Sequence, residues 1–372
     1  MVKMILVLNC GSSSIKFQLL EPKSERLSIK GVAENLQTPQ ASLHFSIGDE
    51  MRAEEQLPSS DYASAIEMIA RLLDRVGLSE RVLAIGHRVV HGGRVFNQSV
   101  KVDQDVLDKI KECNHLAPMH NPLNVLGIEL MQRKFPRLTQ VAAFDTAFHQ
   151  TLPPHAYLYA LPYEYYTKYG IRRFGFHGIS HRFVTMEAAK KLGKRLEKSS
   201  WISAHLGNGC SICAVKGGKS IDTSMGFTPL EGLVMGQRSG DIDPSVVAFL
   251  VDKLHLDVGS VISILNGSSG LLGLSELSEN MQILLSHRDS PQVQASIDLF
   301  CYRLAKYIAS YIIPLQSVDG VIFTGGIGEN AAPVREMVLR YLEPLNLRAL
   351  VIPTNEELLI AQDAEMLVKG ER

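Results

Sequence analysis

A chain of 372 residues has room, as a soft prior, for two domains of ordinary size, each able to bury its own core. Hydrophobic residues make up 45% and charged residues 21%, the balance of a folded globular protein and not of a disordered one. The formal net charge of -1 leaves no bulk attraction to nucleic acid or anionic lipid, so phosphate recognition must come from local loops and a few placed cations. No apolar stretch approaches the ~20 residues that cross a bilayer, so neither nucleic acid nor membrane is expected as a partner. The apolar run from Ile5 to Leu8 is too short for a signal-peptide core and no small-residue cleavage site follows it. Five cysteines, odd and sparse, argue against a disulfide framework and fit a reducing, cytoplasmic setting.

Met4-Ile-Leu-Val-Leu8 is an apolar run that stops at Asn9-Cys-Gly-Ser-Ser-Ser14, after which Ile15, Phe17 and Leu19 alternate with polar residues. This predicts a strand, a polar turn and a second, half-buried strand. Apolar residues recurring at three- and four-residue spacing predict helices over 63–76, 125–135, 181–192 and 293–311. Thr151-Leu-Pro-Pro154 interrupts the pattern and marks a boundary near 146–153. The opening motif then returns: Trp201-Ile-Ser-Ala-His-Leu206 is apolar, Gly207-Asn-Gly-Cys-Ser211 is a turn, Ile212-Cys-Ala-Val215 is strand, and Lys216-Gly-Gly-Lys219 signals a hairpin. Two such hairpins predict two related α/β domains facing each other across a cleft. The boundaries are residues 1–148 with a returning helix of about 358–372, and residues 149–357. Val318-Asp-Gly-Val-Ile-Phe323 reads as a buried strand entering a third glycine-rich turn, Thr324-Gly-Gly-Ile-Gly-Glu-Asn330, with a helix from Pro333 and a last helix from about Glu356.

Glycine lets phosphate oxygens approach the backbone closely, and one such turn alone would be only a hairpin; three, each ending an apolar strand, point to phosphate binding. Cys213-Ala-Val-Lys-Gly-Gly-Lys-Ser220 is no Walker motif, because Cys stands where the first Gly belongs and no helix follows. Gly325-Gly-Ile-Gly328 lacks the dinucleotide spacing. His177-Gly-Ile-Ser-His181 has metal-ligand spacing but lacks the Glu of a zinc protease helix, and Cys210 and Cys213 have no second pair, so buried thiols are expected there. Arg88 in Gly86-His-Arg-Val-Val-His-Gly-Gly93 and Arg238 in Gly236-Gln-Arg-Ser-Gly-Asp-Ile-Asp-Pro244 stand beside tight-turn glycines, and Arg suits bidentate recognition of carboxylate or phosphate. Asp145 follows the apolar Val141-Ala-Ala-Phe144, which places a carboxylate at a strand end. Pattern alone does not name the phosphoryl acceptor.

These segments, with Leu8-Asn-Cys-Gly-Ser-Ser-Ser-Ile-Lys16, His120-Asn-Pro122, Gly175-Phe-His-Gly178, Asp222-Thr-Ser-Met-Gly226 and Pro353-Thr-Asn-Glu-Glu357, closely resemble the acetate kinase family over nearly the whole chain. That family lies within the group sharing the actin, Hsp70 and sugar-kinase (ribonuclease H-like) fold. The resemblance implies an α/β protein of two related domains around a central cleft. It also implies reversible transfer of the γ-phosphoryl group of ATP to acetate, giving acetyl phosphate and ADP. Asn9 and Glu356 would hold or orient Mg²⁺, with Mn²⁺ as a substitute. Lys16, the loop of His205, Leu206, Gly207, Asn208 and Gly209, the stretch Asn280, Met281 and Gln282, and the loop of Gly326, Ile327, Gly328, Glu329 and Asn330 would bind ATP or ADP. Arg88 would grip the carboxylate, and Arg238 and His177 would stabilise the transferring phosphoryl group. Val90, Met119, Phe176 and Pro229 would form the pocket for acetate or another short-chain fatty acid. An acid already ionised at pH 7 needs no general base, so Asp145 is better suited to fixing Mg²⁺, its waters or an arginine.

Three departures from the family pattern stand out. Met119 replaces a frequent Leu, Asn280-Met-Gln282 replaces a usual Asp-x-Arg, and the chain is shorter in its 20–60 region. The resemblance further implies a homodimer. A propionate kinase of the same family is the nearest alternative. A non-catalytic nucleotide-binding module has no use for the Arg88 and His120 segments beside an acyl pocket.

Overall fold

In the computed structural model, which describes residues 3–48 and 51–370, the first apolar run forms β1 (Met4–Cys10) and the alternating run β2 (Ile15–Glu21). The strands β3 (Arg26–Glu34), β4 (Ser42–Ile47) and β5 (Met51–Gln56) extend this hairpin antiparallel. On the other side of β1 lie β6 (Val82–Val89) and β8 (Thr139–Phe144), both parallel, and the two-residue β7 (Val100–Lys101). The result is one eight-stranded sheet in the order β5-β4-β3-β2-β1-β6-β8-β7. Nearly every residue of β1 is buried, as central strands covered on both faces require. Leu6, Phe17 and Ile29 share a core with Ile66, Ile69 and Leu73 of the helix Tyr62–Arg75 and Met131 of the helix Asn121–Lys134.

By its internal contacts the chain forms two compact units, Met1–Ala147 with Asn355–Arg372, and Phe148–Thr354. The final helix, Glu356–Lys369, packs on β6 and β1 of the first unit. Gly86 makes that approach possible: a Cβ there would stand 2.6 Å from Cγ2 of Ile360.

The second unit is built on β9 (Ser200–Leu206), β10 (Cys210–Lys216), β11 (Lys219–Thr223), β12 (Gly320–Thr324) and β13 (Ala349–Val351). Its order is β11-β10-β9-β12-β13, antiparallel up to β9 and parallel beyond. The segment β3-β2-β1-β6-β8 of the first unit has the same order and the same strand senses, so the two units are topologically related. The turn after β1 closes with Gly11 N–H donating to Ser14 O at 2.8 Å, and the turn after β9 with Gly207 N–H donating to Gly209 O at 3.0 Å. All five cysteines are buried and free. Among the described residues no helix is long and apolar enough to cross a membrane.

One element departs from expectation. The glycine-rich stretch after β12 is not an open turn but the helix Gly325–Asn330. Gly325 turns the chain with φ +76°, where L side chains are strained, and Glu329 folds back to accept from Gly325 N–H at 2.9 Å. The same carboxylate accepts from Thr354 N–H at 3.2 Å, so it fastens the helix to the end of this unit.

Tyr62 ties the first helix to the β1–β2 turn, its hydroxyl lying 2.6 Å from Gly11 O and 2.8 Å from Ser12 O. Tyr62→Phe keeps the ring and loses this tether. It is expected to lower the urea-unfolding free energy by about 1 kcal/mol. An unchanged midpoint would show that the tether contributes nothing.

Candidate active site

In the first unit, the carboxyl ends of three neighbouring strands gather polar side chains, where open α/β sheets commonly bind ligands. Asn9 lies near the end of β1, Arg88 near the end of β6, and Asp145 directly after β8. The first residue of the final helix, Glu356, joins them. Asp145, 1% exposed, grips the guanidinium through both oxygens, from Oδ1 to Nε at 3.2 Å and from Oδ2 to Nη2 at 2.5 Å. Glu356 Oε2 lies 3.4 Å from Nε, and Asn9 Oδ1 lies 3.4 Å from Nη1. Burial opposes the charge of Arg88, but the fields of Asp145 and then Glu356 outweigh it and raise its pKa further. Burial also pushes the Glu356 carboxyl above the ordinary carboxylate range, against the pull of Arg88.

Two buried asparagines, to which no role is assigned from the sequence, hold the chain as it leaves β6. Asn124 accepts from Val90 N–H at 3.1 Å and donates to Cys10 O at 2.9 Å. Asn121 accepts from His91 N–H at 3.0 Å and donates back to His91 O at 2.8 Å. The signal was there: two Asn three residues apart in the first turn of a helix whose inner face is otherwise mostly apolar. Val90 is buried beside them, whereas Met119 is 70% exposed just before that helix. Lys16 is exposed on β2 and lines a groove of about 720 Å³ with Glu357; its positive field reaches Glu356.

In the second unit the chemistry gathers around the turn after β9. His177 precedes the helix Gly178–Lys191 with φ +56°, an uncommon conformation for a non-glycine residue that often marks functional sites. Its ring stacks on His205 with centroids 4.3 Å apart. A Cβ on Gly209 would lie 3.4 Å from His177 Nε2 and 3.6 Å from Arg238 Nη1, so this glycine is where the two cationic or donor groups converge. Arg238 donates from Nη1 to Pro229 O at 3.0 Å. Burial works against its charge, yet among the described residues no carboxylate pairs with it. A largely buried arginine without a counter-ion is a candidate receptor for an anion.

Pro229 sits on a loop clamped by residues the sequence did not mark. Arg173 donates to Thr223 O at 3.0 Å and Ser224 O at 2.8 Å and pairs with Glu231, which Tyr159 also contacts. Phe176 is buried, and its carbonyl accepts from His149 at 3.0 Å.

A cavity of about 630 Å³ opens in the same unit, within the range of small-ligand sites. It is lined by Gly207, Asn208, Asn280, Met281, Gln282, Gly326, Ile327 and Asn330 together with Glu279, Leu285 and Ala331. His205, Leu206, Gly209, Gly328 and Glu329 lie outside its lining: Leu206 and Gly328 are buried, and Glu329 is turned back onto its own helix. Asn280 caps the helix Met281–Ser286, its Oδ1 accepting from Gln282 N–H at 2.9 Å.

Removing one partner of a buried ion pair leaves an uncompensated charge and costs about 3–5 kcal/mol, while removing both is far milder. Asp145→Asn should therefore be markedly destabilised, and adding Arg88→Met should restore much of the loss in urea unfolding. Additive losses in the double variant would contradict the pairing.

The sequence matches the family model described as the acetokinase family over residues 4–349. It is 46% identical over 397 aligned positions to an acetate kinase of Shewanella woodyi, covering 99% of each chain. A propionate kinase structure from Francisella tularensis superposes with a TM-score of 0.93 at 45% identity, covering 97% of this chain and 98% of that one. An acetate kinase structure from Porphyromonas gingivalis superposes with a TM-score of 0.92 at 36% identity, covering 98% and 100%. The architecture is thus the α/β arrangement of the actin, Hsp70 and sugar-kinase group. Matched along almost its entire length in sequence and in fold, the chain belongs to the acetokinase family.

Proposed function

We infer that the chain is an acetate kinase, transferring the γ-phosphoryl group of ATP reversibly to acetate to give acetyl phosphate and ADP. The observation that carries the acceptor is Arg88. Asp145 occupies its Nε and Nη2 edge, and among the described residues the Nη1 edge has only the 3.4 Å contact to Asn9, which supports reserving that edge for the carboxylate of the acid. A carboxylate oxygen attacks the γ-phosphorus, the bond to the β–γ bridging oxygen breaks, and ADP leaves with that electron pair. No proton has to move. Nucleophile and phosphate are both anionic, so catalysis consists of positioning and charge neutralisation. Arg238 and His177, meeting at Gly209, stabilise the transferring group; Asp145 acts by fixing Arg88. The resemblance to the family assigns Val90, Met119, Phe176 and Pro229 to the acyl chain, and the 630 Å³ cavity takes the nucleoside of ATP.

The family uses Mg²⁺. Among the described residues no group of three or more His, Cys, Asp or Glu could hold a metal. The oxygens of Asn9 and Glu356 nonetheless fit Mg²⁺, which keeps several waters and takes one or two carboxylates plus phosphate oxygens. Those two residues would hold it, and it would neutralise charge on the β- and γ-phosphates. Lys16 adds positive charge from the neighbouring strand. Five buried, free cysteines support a cytoplasmic location. A homodimer is supported by the helix Ser245–Leu254, which is apolar yet buries none of its residues, with Phe249 63% exposed and Val258 of the next helix 58% exposed.

Propionate stays in view because the propionate kinase from Francisella tularensis is 45% identical. A hydroxamate assay with formate, acetate, propionate and butyrate tests the assignment. One methylene in an apolar pocket is worth about 1–3 kcal/mol, so propionate should be a poorer substrate than acetate and butyrate poorer still. A higher kcat/KM for propionate or butyrate would overturn acetate as the substrate. Arg88→Ala and Arg238→Ala should each lose about 10²–10³ in rate, with KM for the acid raised only by the first. Near-normal kcat/KM in either variant would refute that arginine's role.

Asn280 and Gln282, both exposed at the cavity, lack the charge and the flat guanidinium face of Asp-x-Arg. The double variant Asn280→Asp with Gln282→Arg should lower KM for ATP and sharpen preference over GTP while leaving kcat alone. If both quantities stay put, the departure is neutral.

A further inference from the structure

Behind His177 runs a chain of buried side chains that nucleotide binding does not use. His177 Nδ1 lies 2.9 Å from Ser211 Oγ on β10. The same hydroxyl lies 2.8 Å from Nε2 of His181, one helical turn along, and His181 Nδ1 lies 2.9 Å from Ser203 Oγ on β9. Ser203, Ser211 and His181 are all fully buried. Burial, reinforced by His149 and His205, holds the His181 pKa well below its ordinary value, so this imidazole is neutral and carries one N–H.

One N–H allows two directions of donation along the chain. In the first, Ser203 O–H donates to His181 Nδ1, His181 Nε2–H to Ser211, and Ser211 O–H to His177 Nδ1. Every proton then has an acceptor. In the second, His181 Nδ1–H donates to Ser203 and every bond reverses. The Ser203 proton would then need another acceptor, and among the described residues its hydroxyl has no hydrogen-bond partner besides His181. Leaving a buried hydroxyl without its bond costs about 1–3 kcal/mol, which selects the first direction by a factor of about 5 to 150. His177 Nδ1 is thereby an acceptor, and its proton resides on Nε2, the nitrogen beside Gly209 and Arg238.

We propose that Ser203, His181 and Ser211 form a positioning relay that fixes His177 in its Nε2–H tautomer, so that His177 serves the transferring phosphoryl group as a ready hydrogen-bond donor. The inference rests on the phosphoryl-transfer function given above. Ser203 touches no substrate in this account. It acts through two intervening side chains on which nitrogen bears the proton.

The test joins spectroscopy to kinetics. In protein labelled with ¹⁵N-histidine, the His177 signals are assigned by their loss in His177→Gln. At neutral pH the unsubstituted enzyme should show a protonated Nε2 and a bare Nδ1. Ser203→Ala should mix the two tautomers and lower kcat about 10-fold with KM for ATP and for the acid unchanged, less than outright loss of a charge-stabilising donor costs. Ser203→Thr, which keeps the hydroxyl, should restore both signals and rate. A bare Nε2 in the unsubstituted enzyme overturns the relay and leaves phosphoryl transfer standing. A pure Nε2–H tautomer with normal kcat in Ser203→Ala overturns it as well, and the unsubstituted measurement decides even if that variant fails to fold. Absence of acyl phosphate formation by the unsubstituted enzyme instead removes the function the relay serves.

Discussion

The two-oxygen grip of Asp145 on Arg88 is the interaction on which the acid recognition proposed for the first unit depends. A guanidinium that must meet an anion cannot swing freely, and keeping one charged out of water is costly unless a partner offsets the lost hydration. Parallel pairing of β6 with β8 meets both needs, because it sets Arg88 and Asp145 at neighbouring strand ends. Asn121 and Asn124 then hold the chain beyond β6, so the arginine projects from a backbone fixed on both sides. Arg238 is treated in the opposite way. It is held by a carbonyl oxygen and, among the described residues, by no carboxylate, which on the proposed function would leave its charge for the phosphoryl group.

The two units share one strand order but use their first turns differently. In the first, the β1–β2 turn is tied down by Tyr62, and Asn9 just before it faces Arg88. In the second, the β9–β10 turn remains open enough to line a cavity, and Gly209 leaves room for His177 and Arg238. On the function proposed above, the duplicated scaffold would supply acid recognition from one copy and phosphate chemistry from the other. This division suits a reaction between two anions, because each needs its own cations before they can meet.

Much of this was legible in the sequence. Strands β1, β2, β9 and β10 and their turns follow from apolar runs that end in Gly, Asn and Ser, and the helices lie within a few residues of where periodicity places them. The helix Gly325–Asn330 was not legible, because glycines that ordinarily break helices are held there by a carboxylate four residues on and by Thr354. The clamp of Arg173, Glu231 and Tyr159 was likewise invisible: its members lie dozens of residues apart and only the fold joins them. Ser203 and Ser211 look like ordinary strand serines until the helix bearing His181 is laid across both.

The central claim is that the acid's own oxygen attacks the γ-phosphorus of ATP while bound at Arg88. Acetate labelled with ¹⁸O in both carboxylate positions tests it directly, with the product followed by ³¹P NMR. The account predicts acetyl phosphate whose phosphorus shows the isotope shift of one directly bonded ¹⁸O, appearing in step with ADP. ADP accompanied only by unlabelled inorganic phosphate would mean that water is the nucleophile, and would contradict it.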